Sequence, residues 1–132
     1  MRIESGGEKK MRVESYQDLK VWQRGVEIAI AVYKLSCEFP KSEQFGIVCH
    51  VQRAAVSIPS NIAEGHERGA TKDFLRFIAM ALGSRAELET QMLIAKRLSF
   101  GNPELIHDCL LQLDELGRML RGLQKSLRSK LN

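Results

Sequence analysis

Residues 102–128 read NPELIHDCLLQLDELGRMLRGLQKSLR, and a single helix accounts for the whole stretch. Asn102 supplies a capping side chain, and Pro103 suits the first turn, where its missing N–H is no loss. Leu113, Leu116, Leu120, Leu123 and Leu127 then share one face at about 100° per residue. Arg118, Arg121, Lys125 and Arg128 recur on the other side at i, i+3, i+7 and i+10, with Lys130 beyond them. From Arg118 to Asn132 there are five basic residues and no acidic one. Such a stripe is either a solvated face favoured by the helix dipole at its C-terminal end, or a surface for a phosphate backbone.

Moving toward the N-terminus, Ser99-Phe100-Gly101 stops a preceding helix that starts at Thr71, with Asp73 in its first turn, and runs to about Leu98. Before it, Ser42 can cap a helix reaching about Glu67, with Gly65 and Gly69 at its exit. Pro59 lies inside that helix and predicts a kink over residues 55–59 without a break. Asp18 can cap a first helix to about Cys37, ended by Phe39-Pro40. Four helices on short connections predict one all-α domain over residues 17–132, an antiparallel up-down-up-down bundle. Residues 1–16 carry charge and Gly6-Gly7 without apolar periodicity, which predicts a disordered arm. Within it Met1-Arg2-Ile3-Glu4-Ser5 nearly repeats as Met11-Arg12-Val13-Glu14-Ser15, too short a repeat to be a structural unit.

Composition agrees. The 132 residues are 44% hydrophobic but only 6% aromatic, which suits helices packed through Leu, Ile, Val and Ala, and one core suffices at this length. No apolar run is long enough to span a membrane and no secretory signal opens the chain, so a cytoplasmic protein is expected. Cys37, Cys49 and Cys109 are odd in number and far apart, and read as reduced thiols in or near the core. Twenty Lys and Arg against sixteen Asp and Glu give a formal charge of +4, which permits nucleic acid as a partner without demanding it.

The first helix is apolar nearly all round. Leu19, Trp22, Val26, Ala29, Ile30, Tyr33 and Cys37 form one stripe, read as facing the core. Val21, Ile28 and Leu35 form a second seam on the opposite side, read as burial against another subunit. In the third helix, Phe74, Phe77, Ile78, Ala81, Leu82, Leu88 and Met92 make an apolar face with Arg85 in its middle. That arginine needs a carboxylate, either Glu89 one turn on or a group from another subunit, and it joins the interface candidates. The small residues Ala79, Gly83 and Ala86 allow a neighbouring helix to come close.

Chemistry is scarce. Glu104 and His107 have the ExxH spacing of di-iron bundles, but the motif occurs once and in a first turn, where such sites need two with further carboxylates. Glu64, His66 and Glu67 spread around their helix, and His50 stands alone. Ser57, Ser60 and Ser84 have no histidine with an orienting carboxylate in an elbow-like context, and no phosphate-binding loop is present. No catalytic residue, metal or cofactor is expected.

Arg53-Ala54-Ala55-Val56-Ser57-Ile58-Pro59-Ser60-Asn61-Ile62-Ala63-Glu64-Gly65 is more specific. With Tyr16-Gln17-Asp18-Leu19-Lys20-Val21-Trp22-Gln23, Phe39-Pro40 with Glu43, and Ala81-Leu82-Gly83-Ser84-Arg85-Ala86-Glu87-Leu88-Glu89-Thr90, it resembles the four-helix-bundle proteins encoded in intervening sequences of bacterial 23S ribosomal RNA genes. The resemblance covers about residues 16 to 100. It implies an antiparallel bundle that assembles into rings, commonly pentamers, with no established catalytic activity. Related bundles include the accessory variability protein of diversity-generating retroelements, a basic pentamer that binds reverse transcriptase and nucleic acid. The motif places Arg53, Ser57, Ser60 and Glu64 on one polar stripe, with Gln52 beside it and Asn61 and Arg68 at its margin. The stripe serves hydrogen bonding around the Pro59 kink or a contact surface for RNA or protein, and the first use is favoured because Ser and Asn commonly satisfy irregular backbone.

Two functions follow as expectations. The first is a non-enzymatic homo-oligomeric scaffold, pentameric by resemblance, whose basic surface meets RNA, DNA or an enzyme such as a reverse transcriptase. The second is a protein-binding adaptor whose charge is incidental.

Overall fold

A computed structural model describes residues 15–131 of the chain. Among them all regular structure is helical: α1 (Lys20–Ser36), α2 (Ile47–Glu67), α3 (Thr71–Arg97) and α4 (Pro103–Ser129), with short 3-10 turns at Tyr16–Asp18 and Lys41–Glu43. Each helix packs against its neighbours in chain order, most extensively α2 with α3, and α4 closes back on α1. The arm expected over residues 1–16 lies outside the described residues as far as Glu14. Ser15 and Tyr16 belong to the fold: the Ser15 hydroxyl accepts from the Gln17 N–H, and Tyr16 meets the Trp22 ring edge-on at 5.4 Å.

Local chemistry sets most of the boundaries. The Asn102 side chain accepts from the N–H groups of Glu104 and Leu105, and Pro103 occupies the first turn, as expected of that pair. Gly69 and Gly101, after α2 and α3, take φ of +86° and +71°, a conformation that costs glycine nothing. Two expected caps are absent. Asp18 sits in a 3-10 turn, leaving Leu19 at the head of α1 with no side-chain cap. Ser42 likewise falls in a 3-10 turn, and α2 begins only at Ile47, after Gly46. A Ser at the right offset marks a cap only where the backbone turns helical directly after it, and Pro40 starts a tighter turn first. Pro59 lies inside α2, which runs through it unbroken.

The core is formed by Ile28, Val32 and Leu35 of α1, Ile58 and Ile62 of α2, Ile78, Leu88 and Met92 of α3, and Ile106, Leu113, Leu116 and Leu120 of α4. This corrects the reading of α1: of its expected core stripe Ala29 is buried and Leu19 and Trp22 pack against the core, but Ile30, Tyr33 and Cys37 are exposed. The seam Val21, Ile28 and Leu35 is buried inside the subunit, with Ile28 fully enclosed, whereas Ile30 and Tyr33 are 51% and 46% exposed. Val21, Ile28 and Leu35 are therefore not available to a second subunit. Both stripes carry enough apolar surface to be a core face, but Tyr33 has a polar tip that a core of aliphatic side chains would leave without a partner. The aliphatic seam goes inside.

Arg85 is also internal. It is 8% exposed, its Nη1 donates to the Leu113 carbonyl of α4 at 3.1 Å, and its Nη2 lies 3.5 Å from Glu89. Glu89 is thus the carboxylate partner, and Arg85 ties α3 to α4 within one subunit instead of lining an interface. Room for it comes from Gly117, where an added Cβ would stand 3.0 Å from Arg85 Nε. Ala79, Gly83 and Ala86, read as a close-approach face, are exposed, and a Cβ at Gly83 would meet nothing within 4 Å. Of the thiols only Cys109 is buried, and desolvation pushes it up to about 12; Cys37 and Cys49 are exposed, correcting their assignment to the core.

Candidate nucleic-acid interface

The second half of α4 places its leucines inward, with Leu116, Leu120 and Leu127 buried and Leu123 half-buried. A helix anchored by that stripe must turn its opposite side outward. Arg118, Arg121, Lys125 and Arg128 are all exposed there, and Lys130 follows at the C-terminal cap. Arg118 pairs with Asp114 one turn back. Among the described residues no carboxylate lies within ion-pair distance of Arg121, Lys125 or Arg128.

The fold gives this stripe company. Leu19, Gly65, His66, Thr71, Phe74, Leu123 and Leu127 line one cleft of ≈ 640 Å³, which brings the start of α1, the end of α2, the start of α3 and the end of α4 to the same end of the bundle. That end carries Lys20, Arg68, Lys72, Arg76, Arg121, Lys125, Arg128 and Lys130, against Asp18, Glu64, Glu67 and Asp73. Two of the four acids are already engaged, Glu64 with Arg68 at 3.3 Å and Asp73 with Arg76 at 3.7 Å. Arg68 and Arg76 also lie over the Phe77 ring, at 4.9 and 4.6 Å from its centroid. A surface with unbalanced charge of one sign attracts polyanions over a distance of about 10 Å at moderate salt. Sequence reading found the α4 part of this end. It missed Lys72 and Arg76, whose signal was the recurrence of cations on both sides of the turn between α2 and α3, and Lys20, for which the sequence carries no such signal.

The polar stripe of α2 divides. Gln52 donates to the Ser36 hydroxyl of α1, Ser57 and Ser84 share a hydrogen bond of 2.8 Å, and Asn61 donates to the carbonyl and hydroxyl of Ser57. The first two join α2 to α1 and to α3, the third stays within α2 one turn before Asn61, and the groups so engaged are turned to the interior. Arg53, Ser60 and Glu64 are exposed on the outer side of α2. Of this row only Glu64 reaches the basic end of the bundle, where it pairs with Arg68; Arg53 and Ser60 lie one to three turns further from that end along α2.

Other sequence candidates stay dispersed. Glu104 and His107 are both exposed, and among the described residues no group of three His, Cys, Asp or Glu is placed to hold a metal ion. The His66 ring meets Phe74 edge-on at 5.6 Å, while Glu64 turns to Arg68. Among the described residues no helix is long and apolar enough to cross a membrane.

Residues 17–122, most of the bundle, match the family model of the 23S rRNA-intervening sequence protein. The chain belongs to that family. A solved structure of similar fold is the crystal structure of a protein of unknown function from the S23 ribosomal protein family of Bacteroides thetaiotaomicron. It is 21% identical, superposes with a TM-score of 0.71, and covers 80% of this chain and 98% of its own. At that identity the likeness establishes the fold alone. No curated protein matches the sequence. Of the basic α4 row, Arg118 and Arg121 lie inside the matched region and Lys125, Arg128 and Lys130 beyond it.

Proposed function

We propose that this protein is a non-enzymatic, cytoplasmic, homo-oligomeric scaffold whose basic end contacts nucleic acid or a nucleic-acid enzyme such as a reverse transcriptase. The observation that carries the reading is the gathering of eight named cations from all four helices at one end of the bundle, with two of the four acids there already paired. The helices are read as antiparallel, up-down-up-down, with support from the meeting of Ser57 with Ser84 and of Gly65 with Phe77. In an oligomer with parallel bundle axes the basic ends add to one charged rim. A pentameric ring is the form the family resemblance favours.

The experiment is binding of labelled RNA and DNA, duplex and single-stranded, across a salt series. Binding should weaken steeply between 50 and 200 mM salt, with a log–log slope that reports the number of phosphates neutralised. Changing Arg121, Lys125 and Arg128 together to Ala should flatten the slope by roughly 2 to 3 and weaken binding at least about tenfold, because each phosphate contact contributes about 0.9 to the slope. Helical content should not change, since all three side chains are exposed. Undiminished binding by the triple variant removes the α4 row from the reading. A protein partner retained at salt that strips nucleic acid makes the molecule an adaptor.

A further inference from the structure

The cleft at the basic end of the bundle is apolar and aromatic inside, although cations stand around it. Leu19, Phe74, Leu123 and Leu127 line it together with His66 and Thr71, around a volume of ≈ 640 Å³. That lies within the roughly 300–1,000 Å³ of small-ligand sites, which are likewise mostly apolar with a few polar groups.

Two helix ends set two rings in this cleft. His66, in the last turn of α2, meets Phe74, in the first turn of α3, edge-on at 5.6 Å. Both are half-buried, and Phe74 packs on the outer edge of the core beside Gly65. Nδ1 of His66 is buried with no hydrogen-bond partner among the described residues. A buried nitrogen left unpaired is costly, so the imidazole gains by turning toward any ligand that offers it a donor or an acceptor.

The cations sit at the rim. Lys20 and Lys72 directly follow the lining residues Leu19 and Thr71, and Lys130 itself lines the cleft; all three are exposed. Among the described residues no carboxylate lies within ion-pair distance of these lysines. Asp18 and Glu67 adjoin the same rim, next to Leu19 and His66. The positive excess beside the cleft is therefore small, and the rings must supply much of what a ligand gains there.

We infer that this cleft holds an unpaired nucleobase of a single-stranded polynucleotide, stacked against the rings of Phe74 and His66, with Lys20, Lys72 and Lys130 on the flanking phosphates. In a duplex the bases are stacked and paired with one another, and the surface offers mainly backbone. A ring-lined cleft below a charged rim is reached only by a base free to swing out of its strand. Stacking on an aromatic side chain strengthens single-strand binding roughly five- to hundredfold per base, whatever the sequence. This inference rests on the nucleic-acid reading and names its substrate class.

Fluorescence anisotropy on the full chain tests it with three probes: a labelled oligothymidylate, the same strand annealed to oligoadenylate, and the same strand with abasic residues in place of thymidines. The first should bind about tenfold more tightly than either of the others. His66→Ala and Phe74→Leu should each narrow that gap, and together close it to about twofold, while the salt slope, set by phosphates, stays unchanged. Alanine is a better helix former than histidine, so His66→Ala decides the matter even if Phe74→Leu fails to fold. The imidazole resonances of His66, identified by their loss in His66→Ala, should shift with oligothymidylate at far lower nucleotide concentration than with thymidine monophosphate. Equal binding of the three probes by wild type, or a single-strand preference that survives both substitutions, overturns the cleft and leaves the nucleic-acid reading standing. Binding of none of the three removes that reading as well. A shift with the monophosphate alone makes the cleft a site for free nucleotide and overturns the polynucleotide assignment.

Discussion

Gly117 and Gly65 show how a missing side chain can be a structural element. As a helix former, alanine is better than glycine by about 1 kcal/mol. At position 117, however, its Cβ would lie 3.0 Å from Nε and 3.2 Å from Cζ of Arg85, whose guanidinium is held by the Leu113 carbonyl and Glu89. Moving that group weakens a charge-assisted hydrogen bond to Leu113 worth about 1.5–3 kcal/mol and loosens the ion pair with Glu89, so the clash wins. Gly117→Ala should destabilise by about 1–3 kcal/mol in urea unfolding. Gly65→Ala should do at least as much, since its Cβ would fall 2.5 Å from the Cβ of Phe77, which only backbone movement can relieve. The need for a carboxylate beside Arg85 was legible in the sequence, because an arginine in an apolar stripe cannot stay unpaired. Which carboxylate, and that Gly117 makes the room, was not: that depends on how α3 and α4 meet.

Cys109 permits a test with a defined sign. Burial raises its thiol from 9.0 to about 12, so the folded state holds the proton where the unfolded chain releases it. Its contribution is fully present below pH 9 and is lost as the pH rises through that window to about 12. Wild-type stability should fall more steeply than that of Cys109→Val over this range, by up to about 1.4 kcal/mol per pH unit. In native protein at pH 8, Cys37 and Cys49 should react quickly with a thiol reagent and Cys109 only on unfolding, since it alone of the three is buried.

At the level of the helices, the ends differ in how well they are finished. Asn102 closes α4 with two hydrogen bonds, whereas Ala70 at the head of α3 is extended and has no side chain to offer. Asn102→Ala should cost about 1 kcal/mol, and Ala70→Ser should gain about 0.5–1 kcal/mol, both read from thermal unfolding. Helix number and type were legible, because period and punctuation agree in α3 and α4. The phase of α1 was not, because Val21–Ile28–Leu35 and Val26–Ile30–Tyr33 each carry a credible apolar stripe and only the neighbouring helices choose between them. The start of α2 was missed for a related reason: Ser42 has cap chemistry, but the turn from Pro40 delays the helix by several residues. Within the α2 polar stripe, Gln52 and Ser57 hydrogen-bond to α1 and α3 while Asn61 bonds back to Ser57 within α2, a division that depends on which helices flank α2.

For the whole molecule, stability and assembly are one quantity if copies associate into the proposed homo-oligomer. The unfolding midpoint measured by calorimetry should then rise with protein concentration, whereas a monomer's midpoint would stay fixed. The all-α class and the order of its helices could be read from the sequence in advance, and so could the basic row of α4. The wider charged end could not, since it arises only when turns distant in sequence are brought side by side.

The Arg85–Gly117 notch also bears on how such a bundle can be recombined. Arg85 reaches past α3 to the Leu113 carbonyl, and the bare backbone at Gly117 receives it four residues later, so donor, acceptor and gap form a single key spanning two helices. A fourth helix grafted in from a relative fits best with a glycine in that slot, unless the recipient gives up its arginine at the same time. The two positions are thus coupled, and a chimera that keeps Arg85 opposite a larger residue in that slot should be less stable than one that keeps both or neither.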